Sequence, residues 1–189
     1  MKVSLLGHSY VRDLSELNVR VFELSPSLQL EVSYFSFPGA RFSSFLNNLS
    51  CLDELIDGRP DIVVVILGGN DFQNNTLISD VTKQCSCFYK YLREKLPQTR
   101  LIATQVELRF YKPNNIYNCP EAATYKKVIG YFNKYLQKAK PADSLICILG
   151  PNRMSKESLY RSDGIHLNRE GLNKLMQIIQ SALYNFLTY

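Results

Sequence analysis

Residues 62 to 67 read Ile-Val-Val-Val-Ile-Leu, with no polar position left to face water. A strand with one wet face alternates apolar and polar side chains, so this run describes a strand buried on both faces, at the centre of a parallel sheet. The rest of the chain supplies neighbours for it. Val3 to Leu6, Leu28 to Phe35, Arg100 to Val106 and Leu145 to Leu149 read as further strands. Between them lie helical periodicities: Val11, Leu14, Leu17 and Val21 up to Ser25-Pro26; Phe42, Phe45, Leu46, Leu49, Leu52 and Ile56 up to Asp57-Gly58-Arg59-Pro60; Leu77 to Leu96; Tyr125 to Ala139; and Leu172 to Phe186. Strands alternating with helices predict an α/β sandwich of three layers, α/β/α, with a five-stranded parallel sheet in the order 2-1-3-4-5. Ligands bind such sheets at the carboxyl edge, where the strand order reverses.

The residues expected at that edge are polar and few. Gly7-His8-Ser9 follows the first strand and opens a helix, which places Ser9 where a helix amino terminus favours developing negative charge. Ser9 then reads either as a helix cap or as a nucleophile. A serine nucleophile needs a base, and the chain has two histidines. His8 adjoins Ser9 in a tight turn and should point away from it. His166 is the better base, because Asp163 three residues earlier can fold back to its ring, fix the tautomer and stabilise the imidazolium. Taken singly, Asp163 also reads as a turn residue and His166 as a loop histidine. Gly39, after the second strand, and Asn70, after the third, can join the Ser9 N–H as donors to a tetrahedral oxyanion, although Asn70-Asp71 also suits an ordinary turn. The conjunction of four such features, each after the appropriate strand, points to acyl-transfer hydrolysis.

Composition bounds what else the chain can do. Its 189 residues are 46% apolar, enough for one domain with a sizeable core. The first strand begins two residues in, which is expected of a domain cut from a longer protein. Five scattered cysteines argue against a disulfide framework and for a reducing, cytoplasmic setting. Cys85 and Cys87, two apart on a helix, point to different faces and have no second pair at finger spacing, so neither metal nor other cofactor is expected. Net charge is +5, but residues 1 to 82 carry 5 basic and 10 acidic side chains, against 17 and 7 in the remainder. That asymmetry suits solvated helix faces or an anionic lipid surface; the aromatic-and-basic signature of a nucleic-acid partner is absent. Residues 107 to 120, with Arg109, Phe110, Tyr111, Lys112 and Tyr117, form a long segment expected to touch substrate or lipid. Monomer and homodimer both stay open.

The motifs Gly7-His8-Ser9, Gly39, Gly68-Gly69-Asn70-Asp71 and Asp163-Gly164-Ile165-His166 together resemble the SGNH (GDSL-like) hydrolases over nearly the whole chain. The resemblance implies a flavodoxin-like fold without a metal. It also implies a triad of Ser9, Asp163 and His166, and an oxyanion hole from Ser9, Gly39 and Asn70. His8 departs from the family, which usually has aspartate there, and this puts the local turn geometry in question. Within the family the chain is similar to platelet-activating-factor acetylhydrolase-type esterases. Through Gly7-His8-Ser9-Tyr10-Val11-Arg12 it is also similar to the esterase domains of first-open-reading-frame proteins of non-LTR retrotransposons. The expectation is a serine esterase acting on short, acetyl esters through an acyl-enzyme. The alternative is a weak or inactive binding module for lipid or nucleoprotein on the same scaffold. A nucleotide-binding domain is disfavoured because no glycine-rich phosphate loop follows the first strand.

Overall fold

The computed structural model describes residues 1–72, 76–107, 109–110, 122–138, 146–149 and 156–188. In chain order the strands are β1 (Lys2–Gly7), β2 (Val21–Ser25), β3 (Leu28–Ser36), β4 (Ile62–Ile66), β5 (Arg100–Thr104) and β6 (Ile146–Leu149). The helices are α1 (Ser9–Ser15), α2 (Phe42–Asn47), α3 (Asp53–Asp57), α4 (Ile78–Lys95), α5 (Ala122–Lys138) and α6 (Arg169–Thr188).

One sheet holds all six strands in the order β2-β3-β1-β4-β5-β6. The five parallel strands β3-β1-β4-β5-β6 stand in the expected order, and β2 is added antiparallel at the edge beside β3. Every residue of β4 is buried, and its side chains alternate between two cores. Ile62, Val64 and Ile66 meet Val3, Leu5, α1 and α6 on one face. Val63, Val65 and Leu67 meet Phe42, Phe45, Phe88 and Phe132 on the other. The unbroken apolar run is thus the physical signature of a strand with a helical layer on each side.

Two helical expectations are corrected. The periodicity from Val11 to Val21 does not continue as one helix. α1 ends at Ser15, Asn18 adopts φ 56°, and residues 21 to 25 form β2, in which Phe22 is buried opposite Leu30 while Val21 is exposed. The left-handed Asn18 ends the helical turn, and the helical spacing of Leu17 and Val21 is coincidental. The segment from Phe42 to Ile56 is likewise α2, a 3₁₀ turn at Leu49–Leu52 and α3. Asn48 departs from helical geometry (φ −145°, ψ 77°) and its side chain accepts a 2.8 Å hydrogen bond from Ser50, the local competition with helix that asparagine and serine offer.

The carboxyl ends of β1, β3 and β4 are level, with Gly7 opposite Ser36 on one side and Ile66 on the other. Ser9, Gly39 and Asn70 follow these ends. Among the described residues no helix is long and apolar enough to cross a membrane.

Candidate active site

Ser9 owes its place to Gly7. A Cβ on Gly7 would overlap the Ile66 carbonyl oxygen, so only glycine lets β1 run this close to β4 and then turn at once into α1. His8 N–H donates to that same Ile66 carbonyl at 3.3 Å. The His8 ring folds back so that Nδ1 accepts from Tyr10 N–H at 3.4 Å, making it the cap of α1. Burial, then the nearby charges of Arg109 and His166, lower its pKa to about 3, so the ring is neutral and carries its proton on Nε2. An aspartate would accept from the same amide, so the departure from the family residue leaves the turn intact. Ser9 is buried, and its N–H, first in the helix, has no acceptor within it.

The second wall is the turn Phe37-Pro38-Gly39-Ala40. Ala40 N–H donates to Phe37 O at 2.9 Å, and Gly39 has φ +78°, a type II turn with proline and glycine in their favoured places. Two bonds tie it to the segment after β4. Asn70 Nδ2 donates to Ala40 O at 3.1 Å, and Phe42 N–H donates to Asp71 Oδ1 at 3.0 Å. Beside Gly39 a groove of about 340 Å³ is lined by Phe37, Ala40, Phe45 and Cys51 among others.

The third part precedes α6. Asp163 Oδ1 accepts from the N–H groups of Ile165 and His166 at 2.8 and 2.9 Å, and Oδ2 meets His166 Nδ1 at 2.7 Å. Burial pushes the Asp163 carboxyl up, but the bonds from the His166 ring and the two backbone amides outweigh it and hold the group below the usual carboxylate range. This loop is fastened to α1. Tyr10 hydroxyl donates to Ile165 O at 2.6 Å. Asp13, fully buried, accepts from Arg12 at 2.6 Å and from Arg161 at 3.2 Å, while Arg161 Nε reaches Leu167 O at 3.0 Å.

The neighbours of Ser9 and His166, Tyr10 and Ile165, are therefore joined directly, and both candidate residues sit at one rim. Among the described residues Ser9 Oγ makes no hydrogen bond to His166. Such bonds are often long without substrate and tighten with it. Of the segment 107 to 120, Tyr111, Lys112 and Tyr117 lie outside the described residues. Arg109 does not face outward. It is buried, and Nη2 donates to Asn70 Oδ1 at 3.0 Å. Phe110 N–H donates to Gly164 O at 2.7 Å, so this segment closes on the Asp163–His166 loop. The pairings of Tyr10 with Ile165, Asp13 with Arg161 and Arg109 with Asn70 escape a sequence reading because they span 155, 148 and 39 residues. The one hint is that Tyr10 and Asp13 flank the Ser9 motif. Cys85 is buried and Cys87 exposed, so the two thiols diverge.

A hydroxyl, an aspartate-oriented imidazole and several amide donors at one sheet edge are the parts that an acyl-transfer hydrolase uses. The chain belongs to the GDSL-like lipase/acylhydrolase family, whose model matches residues 12–179. That places it among esterases, on the strength of the chain beyond Ser9. A Streptococcus pneumonia protein described as a platelet activating factor superposes with TM-score 0.75 at 17% identity, over 96% of this chain and 83% of that one. An Enterococcus faecalis lipase/acylhydrolase gives 0.71 at 16% identity, over 97% and 95%. An acetyl xylan esterase gives 0.63 at 14%, over 96% and 99%. At these identities the likeness concerns the fold. A search of curated proteins returns no match.

Proposed function

We propose that the protein is a serine esterase for short acyl esters, acetyl first, working through an acyl-enzyme. The observation that carries this reading is the 2.7 Å Asp163–His166 pair on a loop pinned by Tyr10 to the helix that begins at Ser9. His166 takes the Ser9 proton as Oγ attacks the carbonyl, then delivers it to the departing alcohol. Asp163 holds the proton on Nδ1 so that Nε2 is the base, and stabilises the imidazolium. The N–H groups of Ser9 and Gly39 and the Asn70 amide receive the oxyanion. Water then repeats the sequence on the acyl-enzyme. The groove beside Gly39 receives the rest of the ester, and its partly apolar lining suits a lipid-like alcohol.

The acetyl preference is supported by the acetyl xylan esterase sharing this fold. A lipid-like substrate and an origin in a retrotransposon protein rest on the resemblance carried by Gly7 to Arg12. The cytoplasmic setting is supported only by the five scattered cysteines of the sequence, which suggest no disulfide framework. Ser9→Ala is expected to abolish 4-nitrophenyl acetate hydrolysis and fluorophosphonate labelling while circular dichroism stays unchanged. Retained turnover in that variant refutes the assignment. The second reading, a non-hydrolytic binding module, is favoured by the lack of a Ser9–His166 hydrogen bond. A wild-type protein that resists fluorophosphonate decides for it, since only an activated serine reacts readily.

A further inference from the structure

Asn70 has an ambiguity that an oxyanion hole cannot tolerate. Its side-chain amide has two ends of nearly equal size, of which Nδ2 donates and Oδ1 only accepts. With Oδ1 turned to the reaction centre it would repel the charge that Nδ2 is there to receive. We propose that Arg109 is a positioning residue that fixes which end of the Asn70 amide faces the reacting ester, and strengthens that end as a donor. The proposal rests on the esterase reading of the same rim.

Both ends of the amide are specified. Arg109 Nη2 donates to Oδ1 at 3.0 Å, and Nδ2 donates to Ala40 O at 3.1 Å. Rotating the amide by half a turn would set Nδ2 against the guanidinium and Oδ1 against the carbonyl, donor on donor and acceptor on acceptor. The orientation that satisfies both partners leaves the second Nδ2 hydrogen for an oxyanion. A cation on Oδ1 also draws electron density along the amide, so each Nδ2–H becomes a stronger donor.

The guanidinium is held for this task. It lies over Gly69, where a Cβ would come 2.5 Å from Nη2, 3.1 Å from Cζ and 3.3 Å from His8 Nε2. Glycine at 69 is therefore the slot that admits the arginine between His8 and Asn70. The space remaining among His8, Tyr10, Gly69 and Arg109 is about 10 Å³, the room of one water at most, so the guanidinium has little freedom to swing away. The next residue, Phe110, is bonded to Gly164 at 2.7 Å, which connects the arginine to the His166 loop. Lysine replaces this fork only in part, because an ammonium keeps the charge but is a point donor on a flexible stem.

The test uses the full chain as wild type, Arg109→Met, Arg109→Lys, Asn70→Ala and the double variant Arg109→Met/Asn70→Ala. With 4-nitrophenyl acetate, Arg109→Met should lower kcat by about 10-fold to 100-fold, below the ceiling of about 100-fold to 1000-fold for losing a whole oxyanion donor, with KM little changed. Arg109→Lys should recover part of that loss. On top of Asn70→Ala the methionine should subtract almost nothing further, because its route of action is already gone. Full multiplication of the two losses, or an unchanged kcat in Arg109→Met, overturns the proposal. A second readout needs no turnover: the Asn70 side-chain amide signals in ¹⁵N–¹H spectra should shift, and exchange faster with solvent, in Arg109→Lys. Unmoved Asn70 signals overturn the proposal. A wild type without esterase activity sinks the esterase reading instead, and the amide signals still decide what Arg109 does.

Discussion

Asp71 stands beside Asn70 in the turn after β4 and carries a prediction about stability. It is 3% exposed; Oδ1 accepts from Phe42 N–H, whereas Oδ2 is buried without a hydrogen-bond partner among the described residues. Burial pushes its pKa up from 3.8 to about 7, with the Phe42 amide and the charges of Arg41 and Arg109 only partly opposing. The folded protein thus holds this proton more tightly than the unfolded chain. The stability it contributes is complete below about pH 4 and is lost as pH rises toward and past 7. At pH 5 the folded carboxyl is protonated and the unfolded one ionised, a difference of about 2 pH units below the folded pKa. At roughly 1.4 kcal/mol per unit, about 2.5 kcal/mol disappears between pH 5 and pH 9. Asp71→Asn keeps an oxygen for Phe42 and cannot ionise. Urea unfolding at the two pH values should show the wild type losing about 2.5 kcal/mol more than the variant, or roughly 5 to 10 °C in thermal midpoint. Glu107, which burial raises to about 8, adds a loss of the same sign to both proteins and cancels in the comparison. Parallel pH dependences in wild type and Asp71→Asn would refute the reasoning.

Two further outcomes concern the site itself. In Asp163→Asn the amide oxygen should settle on the two backbone N–H groups that Oδ1 now serves, turning NH2 toward His166 Nδ1 and forcing the proton onto Nε2. The kcat for 4-nitrophenyl acetate should fall by roughly 1000-fold to 10,000-fold with the thermal midpoint little altered, and a fall under about 10-fold would contradict the role given to Asp163. His8→Asn retains a side-chain acceptor for Tyr10 N–H, and His8 stays neutral down to about pH 3. The shape of its rate profile above pH 4 should therefore match the wild type, and a displaced acid limb would make His8 the titrating group.

The parallel sheet is legible in the sequence because strands covered on both sides must be apolar throughout. Ile62 to Leu67 can hardly be anything else. β2 is not legible, since a left-handed Asn18 resets the periodicity and the coincidental spacing of Leu17 and Val21 imitates a further helix turn. The nearness of Asp163 to His166 is legible as well: three residues in a loop suffice for a carboxylate to reach an imidazole. Arg109 contacts Asn70 across 39 residues, and Arg161 contacts Asp13 across 148. Those pairings arise from where two segments land after the sheet has formed, and no local pattern announces them. Arg109 reads in the sequence as one of several basic and aromatic side chains for a surface, when its charge is spent inside.

The antiparallel ribbon at the sheet margin bears on how the molecule behaves in company. A bare margin of a parallel sheet offers a row of unpaired amides and carbonyls on which a second chain could extend the ladder. Here that margin is β2, five residues long, with its register broken between Glu23 and Ser25 and with Glu23 exposed. A short, kinked and charged border is a poor template for another copy. Crowded solutions of the protein should resist strand-to-strand stacking along this side.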